Sequence, residues 1–241
     1  MLEIRNYSLE YFKGKKVIDD LSLTIREGDI YAFVGRNGAG KTTTIKSIVG
    51  INHITEGDII LDGVSILKNP LEYKNKIAYI PDNPALYDNI TGIQYLNFVA
   101  DMYDVTEKHR IQRIKEYAKR FELYDELGDA ISSYSHGMKQ KLVLISAFIH
   151  DPKLLILDEP FVGLDPKASF TLKEILKEKA AEKKIIFFST HVLDVAEKLC
   201  NKIAIIKNGK LIVNGNMKEV IEDKSLEEIF MELVVENEQS N

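Results

Sequence analysis

The chain has 241 residues, of which 45% are hydrophobic and 29% are charged, so it can bury the core of one large α/β domain. Its 14 glycines and 6 prolines form no biased tract, which excludes the collagen-like and disordered classes. With 32 Lys and Arg against 37 Asp and Glu, the net charge of −5 disfavours a general binder of polyanions, and we expect no nucleic-acid partner.

The chain opens with two segments typical of paired strands. Leu2–Phe12 and Val17–Ile25 alternate apolar and polar residues and are rich in β-forming types. Lys13-Gly14-Lys15 separates them and has the composition of a turn. The pattern predicts an N-terminal antiparallel β region.

The next strand has a different character. Ile30–Val34 is continuously apolar, as a strand buried on both faces should be, and a helical pattern follows over Lys41–Val49. Two further short strands are predicted around the turn Asp62-Gly63, at Gly57–Leu61 and Lys76–Ile80.

The middle of the chain changes to a helical period. Thr91-Gly92-Ile93-Gln94 has the form of a capping box and predicts a helix that runs to Tyr103. Two more helices are predicted over Thr106–Phe121 and Gly137–Ile149.

The last third returns to strands that alternate with helices. The predicted strands are Leu154–Leu157, Ile185–Phe188, Lys202–Ile206 and Lys210–Asn214, and Ser225-Leu226-Glu227-Glu228 can cap a terminal helix. The whole chain therefore predicts a single domain, with an α/β core of about 1–85 and 151–241 and an inserted helical subdomain of about 86–150.

One glycine-rich segment lies where a phosphate-binding loop requires it, between the buried strand and a helix. Gly35-Arg36-Asn37-Gly38-Ala39-Gly40-Lys41-Thr42 fits the pattern G-x-x-x-x-G-K-S/T. Its glycines allow backbone N–H groups to close around phosphates, Lys41 can reach the β- and γ-phosphates, and the Thr42 hydroxyl can bind Mg²⁺.

Two carboxylates follow another buried strand. Asp158 and Glu159 end the run Leu154–Leu157, and ligands of parallel sheets gather at the carboxyl ends of strands. Such a pair can be a solvated loop, but beside a phosphate loop it predicts a Mg²⁺ ligand in Asp158 and a group in Glu159 that polarises the attacking water.

Two other classes of nucleotide enzyme fit poorly. A GTPase should carry Asn-Lys-x-Asp, whereas Asn75-Lys76 and Asn201-Lys202 are each followed by Ile-Ala. A small-molecule kinase does not need the segment Ser135-His136-Gly137-Met138-Lys139-Gln140, which precedes an apolar helix.

That segment resembles the signature of ATP-binding cassette (ABC) proteins, and five other motifs stand in the order of that family. They are an adenine-stacking aromatic at Phe12 or Tyr11, the Walker A loop Gly35–Thr42, the Walker B strand Leu154–Glu159, the D-loop Gly163-Leu164-Asp165 and the switch histidine His191. The resemblance implies a P-loop NTPase (RecA-like) core with an N-terminal antiparallel β subdomain and an inserted helical subdomain.

The resemblance also implies an ATPase that uses ATP and Mg²⁺. The implied catalytic residues are Lys41, Glu159 and His191, and the implied Mg²⁺ environment is Thr42, Asp158 and Asp82. The implied nucleotide-binding residues are Tyr11, Phe12, Gly35, Arg36, Asn37, Gly38, Ala39, Gly40, Lys41, Thr42, Thr43, Ser135, His136, Gly137 and Asp165.

Members of the family pair head to tail, so each ATP would lie between the phosphate loop of one chain and Ser135–Gly137 of another. We expect a homodimer rather than a heterodimer.

Some of these residues also have simpler interpretations. Ser135 can also be a plain helix N-cap, and the two roles are compatible. Phe12 and Tyr11 can equally be ordinary strand aromatics. His53, His109 and His150 lack any motif, and we expect them on the surface.

Two departures from the family pattern indicate which branch of the family the chain resembles. His136 replaces a usual glycine of the signature, and Asp82 stands where a glutamine is usual. Both departures resemble the branch that serves ABC-2 type exporters of drugs, antimicrobial peptides and similar cargo, as do the segments Pro84-Ala85-Leu86-Tyr87 and Gly137-Met138-Lys139-Gln140-Lys141. A soluble ABC ATPase that acts in an assembly and an importer ATPase are the alternatives.

The exporter prediction requires a separate membrane partner. No apolar run reaches the roughly 18 residues of a membrane span, and the first ten residues do not resemble a secretory signal. The single cysteine, Cys200, fits a reducing compartment. We therefore expect a cytoplasmic protein held at the inner face of the membrane by an integral permease subunit, contacted through aromatics such as Tyr87, Tyr95, Phe98 and Tyr103. Tyr95 and Phe98 can also be plain core residues.

Overall fold

The computed structural model describes residues 1–12 and 14–235, without the side chains of Phe12, Val234 and Val235. Lys13, which belongs to the predicted first turn, lies outside the described residues. The strands are β1 Leu2–Phe12, β2 Lys15–Ile25, β3 Ile30–Val34, β4 Glu56–Leu61, β5 Val64–Ser65, β6 Ile77–Ile80, β7 Leu154–Asp158, β8 Ile185–Thr190, β9 Lys202–Lys207 and β10 Lys210–Asn216.

The helices follow the predicted periods closely. They are α1 Lys41–Ile48, α2 Pro70–Lys74, α3 Gly92–Met102, α4 Glu107–Arg120, α5 His136–Ile149, α6 Pro166–Ala181, α7 Leu193–Leu199, α8 Met217–Ile221 and α9 Leu226–Phe230. Both predicted capping boxes are present, at Thr91 with Gln94 and at Ser225 with Glu228. Within the described residues, no helix is both long and apolar enough to cross a membrane.

The strands form two sheets. The first is antiparallel with order β2-β1-β4-β5, as the alternating N-terminal pattern predicted. The second has order β10-β9-β3-β8-β7-β6, and its pairs from β9 to β6 are parallel. The predicted α/β class, with a parallel nucleotide-type core and an N-terminal antiparallel sheet, is confirmed.

Each buried strand of the parallel sheet divides its side chains between two hydrophobic layers. In β7, Leu155 and Leu157 face a layer built with the helices α3 to α6, whereas Leu154 and Ile156 face α1 and the antiparallel sheet. The same alternation in β3 explains why these runs are apolar throughout. The carboxyl ends of β3, β7 and β8 meet at one edge of this sandwich.

The two strands predicted around the turn Asp62-Gly63 are present as β4 and β6, but the turn does not connect them directly. The turn joins β4 to the two-residue strand β5, whereas β6 belongs to the parallel sheet. The short helix α2 lies between β5 and β6 and was not predicted. Its five residues are too few to show a helical period.

His150 is a second correction. Its ring stacks on Tyr103 with ring centroids 3.7 Å apart, and its Nε2 lies 3.0 Å from the carbonyl oxygen of Ile77. It is a half-buried packing residue, whereas His53 and His109 are exposed as predicted. The sequence could not show this, because the partners lie on other elements.

Candidate functional site

The glycine-rich loop joins the end of β3 to the start of α1. A Cβ atom on Gly35 would lie 2.6 Å from the carbonyl oxygen of Ile206. Gly40 has φ +111°, and a Cβ there would lie 2.5 Å from Cδ1 of Ile18. Both positions therefore need glycine, one for a close backbone approach and the other also for its left-handed conformation.

Lys41 begins α1 and is buried below this loop. Its Nζ donates hydrogen bonds to the carbonyl oxygens of Gly35, at 2.7 Å, and Arg36, at 3.3 Å. Burial lowers the pKa of Lys41, while the charges of Glu159 and Asp158 oppose that shift. The ammonium thus spans the loop, and an anion in the loop would further favour its charged form.

Asp158, the last residue of β7, is 1% exposed. Ser189 at the end of β8 donates a hydrogen bond to its Oδ1, whereas Oδ2 has no hydrogen-bond partner among the described residues. Burial raises the pKa of Asp158, and the Ser189 hydrogen bond opposes this. A buried, unpaired carboxylate oxygen is costly unless a cation joins it.

These groups suit a hard cation such as Mg²⁺. Thr42 and Asp82 line the same cavity as Asp158, so a hydroxyl and two carboxylates face one space. Among the described residues, no cluster of three or more His, Cys, Asp and Glu side chains could hold a metal alone. Mg²⁺ commonly completes its shell with water and substrate phosphates, so the donor set fits a cation that arrives with a nucleotide.

Glu159 follows β7 in a left-handed conformation, with φ +51°. This strained backbone turns its carboxylate toward His191, whose Nδ1 lies 3.0 Å and whose backbone N lies 3.3 Å from Glu159 Oε2. An ionised carboxylate only accepts, so Nδ1 carries the proton in this contact. The pair can orient a water molecule at the cavity surface.

A cavity of about 680 Å³ collects these groups and has the size of an ordinary ligand site. Its lining residues are Gly35, Arg36, Asn37, Gly38, Gly40, Lys41, Thr42, Thr43, Asp82, Asp158, Glu159, His191, Leu193 and Phe230. The first twelve were predicted from the sequence. Leu193 and Phe230 were not, because neither belongs to a motif with a known spacing to the loop.

Several predicted residues lie elsewhere. Ala39 is buried and lines a smaller neighbouring cavity. The Tyr11 side chain is 55% exposed, does not line the large cavity, and accepts a hydrogen bond from the Asn52 amide at 3.2 Å. The side chain of Phe12 lies outside the described residues.

The signature and D-loop residues lie apart from the cavity. Its lining includes none of Ser135, His136, Gly137 and Asp165. The Ser135 hydroxyl caps α5 by accepting the Met138 N–H, at 3.2 Å. Asp165 caps α6 by accepting the Ala168 N–H, at 2.7 Å. One chain therefore carries two separate groups of predicted site residues: those that line the cavity, and those of the signature and the D-loop.

The fold and the cavity together define a phosphate-loop ATPase. A family model described as "ABC transporter" matches residues 18–162 of the chain. The chain belongs to the ABC transporter family and is an ATP-binding, ATP-hydrolysing member of it.

Individual relatives agree with this assignment. The chain is 40% identical to the ABC transporter ATP-binding protein YhcH of Bacillus subtilis (strain 168), over 91% of this chain and 71% of the relative. It is 37% identical to the bacitracin transport ATP-binding protein BcrA of Bacillus licheniformis, over 83% of this chain and 65% of the relative. A solved structure described as the ATP-binding subunit of an ABC transporter superposes with a TM-score of 0.93 at 34% identity, covering 97% of this chain and 99% of the other.

Proposed function

We propose that the chain is the ATPase subunit of a membrane exporter of the ABC-2 type, and that two copies pair head to tail to hydrolyse ATP. The proposed pairing is supported by the separation of the two groups of site residues within one chain. The cavity holds the phosphate loop, Asp158 and Glu159, whereas Ser135 and Asp165 lie outside it. Each site is then completed by the second copy.

Within one site, we assign the residues the following roles. Lys41 and the N–H groups of the loop bind the β- and γ-phosphates. Thr42, Asp158 and Asp82 would hold Mg²⁺, which neutralises phosphate charge when bound. Glu159, steadied by His191, orients the water that attacks the γ-phosphate. Ser135 and the first N–H groups of α5 offer an anion site to the partner's nucleotide.

The half-site arrangement is tested with two inactive variants. Lys41→Ala removes the phosphate contact, and Ser135→Arg blocks the signature. One of the two sites in their heterodimer is intact in both halves, so mixing should restore partial ATPase activity. The matched control is Ser132→Arg on the exposed turn before Ser135, which should stay active alone. A mixture that remains inactive, although mass spectrometry shows heterodimers, would contradict independent shared sites.

The exporter assignment is supported by the similarity to BcrA, a bacitracin transport ATP-binding protein. In this proposal the permease is a separate chain that holds the subunit at the inner face of the membrane. Vesicles that carry the subunit and the membrane protein encoded beside it should move cargo outward on ATP addition. Inward movement, or the lack of such a neighbouring gene, would favour the importer or the soluble alternative.

An exposed aromatic pair offers the contact for the permease. Tyr87 is 62% and Phe98 is 46% exposed, and their rings meet edge to face with centroids 6.2 Å apart. Both lie in the region 86–150 that we propose to be the helical subdomain. Tyr87→Ala with Phe98→Ala should weaken copurification with the permease while the ATPase activity of the isolated subunit is kept. Tyr124→Ala, 42% exposed in the same region, is the control.

A further inference from the structure

The residues 225–233, called the C-terminal strap below, are fastened at two places. At one end, the backbone N–H of Leu226 donates to Glu197 Oε2 in α7, at 2.8 Å, and the Leu226 side chain is fully buried. At the other end, Lys207 Nζ at the end of β9 donates to the carbonyl oxygen of Leu233, at 3.2 Å. The strap therefore runs from α7 to β9.

The order of the parallel sheet places this path over the nucleotide site. β3 lies between β8 and β9, and α7 follows the end of β8. A segment that joins α7 to the end of β9 therefore passes β3, and the phosphate loop begins at the carboxyl end of β3. Phe230 stands between the two anchors and lines the same cavity as Lys41 and His191.

The chemistry of the strap does not suit a phosphate ligand. Phe230 brings an apolar ring to a cavity built for phosphates. The strap also contains Glu227, Glu228 and Glu232 and no Lys or Arg. These three carboxylates repel the negative charge of a triphosphate.

We propose that the C-terminal strap is an autoinhibitory contact, in which Phe230 covers the phosphate site and must move before ATP binds fully. The free energy that stabilises the covered position of the strap then reduces the favourable free energy of ATP binding. Nucleotide affinity is reduced by the fraction of chains in which the cavity is covered. This property belongs to one chain and does not depend on pairing or on a permease.

Phe230→Ala removes the covering ring and leaves both anchors in place. Titration of the full chain with a fluorescent ATP analogue and Mg²⁺ should show an affinity increase of about threefold to tenfold. Met231→Ala is the matched control, because Met231 is the next residue, is exposed, and does not line the cavity. It should bind like the wild type. Weaker or unchanged binding by Phe230→Ala would overturn the proposal.

The hydrogen bond between the Leu226 N–H and Glu197 provides an independent way to release the strap and tighten nucleotide binding. Glu197→Ala removes the acceptor of the Leu226 N–H, so it should also tighten nucleotide binding. Combined with Phe230→Ala it should add little, because the strap is already displaced. Glu197→Gln keeps a side-chain oxygen at this position and should stay close to the wild type. Fully additive effects would show that the two residues do not act through one strap.

The chain has no tryptophan, so Phe230→Trp places a single indole reporter on the strap. If the strap leaves the cavity, ATP should shift the indole emission maximum to longer wavelength as the ring enters water. No spectral change would place residue 230 away from the site. A shift to shorter wavelength on ATP addition would make the ring a wall of the bound nucleotide and would also overturn autoinhibition.

Discussion

Lys141 Nζ lies 2.9 Å from Asp165 Oδ2, so an ion pair ties helix α5 to the loop that caps α6. A second contact reinforces it, because the His136 ring packs on Gly163 so closely that a Cβ on Gly163 would meet His136 Nε2 at 2.7 Å. The signature and the D-loop of one chain are thus fastened to each other. If both face the partner chain, as we propose, they reach its nucleotide as one unit.

The first prediction concerns Lys141 as a positioning residue. The pKa of Asp165 is lowered by the Ala168 N–H and by Lys141, and Lys141→Met removes the second contact only. We expect kcat of the ATPase to fall about threefold to tenfold while the affinity of the isolated chain for ATP is unchanged. Lys139→Met is the control, since Lys139 pairs instead with Asp88, at 2.8 Å, from the same helix. Equal kcat values for the two variants would show that the Lys141 pair is only structural.

The second prediction concerns the contact between His136 and Gly163. Gly163→Ala should destabilise the chain for two reasons, since Gly163 has φ +80° and its new methyl group would strike the His136 ring. Adding His136→Ala should restore only part of the lost thermal stability, because the unfavourable φ, worth about 1 kcal/mol, persists. Additive losses in the double variant would mean that the ring does not press on residue 163.

The third prediction concerns Glu159. Glu159→Gln keeps an oxygen that can accept the His191 N–H groups but removes the negative charge that polarises water. We expect ATP to be bound and hydrolysis to fall by roughly a hundredfold or more in single-turnover experiments. ATP-bound dimers should then accumulate on size-exclusion chromatography. Wild-type turnover would mean that another group activates the water.

The fourth prediction concerns Asp82, which shares the cavity with Asp158. Its charge is among the influences that raise the pKa of Asp158, after burial itself. A second carboxylate near the phosphates should repel nucleotide unless Mg²⁺ is bound. Asp82→Gln should therefore change the Mg²⁺ dependence of ATPase activity more than the affinity for ATP at saturating Mg²⁺. Superimposable Mg²⁺ titrations would remove Asp82 from the metal environment.

Local spacing explains why much of the site could be predicted. Gly35–Thr42 and Asp158-Glu159 are contiguous runs beside buried strands, so the sequence itself places them at the sheet edge. Phe230 could not be predicted, because it reaches the cavity only through anchors at Glu197 and Lys207 on distant elements. The motifs of a single chain likewise do not show how two chains associate, so the pairing stays a prediction.

The last prediction concerns pH and rests on His150. Burial lowers the pKa of His150 to about 4, from 6.5 in the unfolded chain, and its Nδ1 is buried without a hydrogen-bond partner among the described residues. Below 6.5 the unfolded chain binds a proton that the folded chain refuses, so stability is full above that pH and falls as the pH drops toward about 4. Between about pH 7.5 and about pH 5 the loss from this residue should approach about 2 kcal/mol.

Urea unfolding at these two pH values measures the effect. His150→Gln keeps an N–H donor for the Ile77 carbonyl but does not titrate, so it should be less stable near neutral pH and should lose less stability on acidification. The control is His53→Gln, since His53 is exposed, and that variant should keep the wild-type pH dependence. If His150→Gln and the wild type lose the same free energy of unfolding, other groups must cause the acid sensitivity.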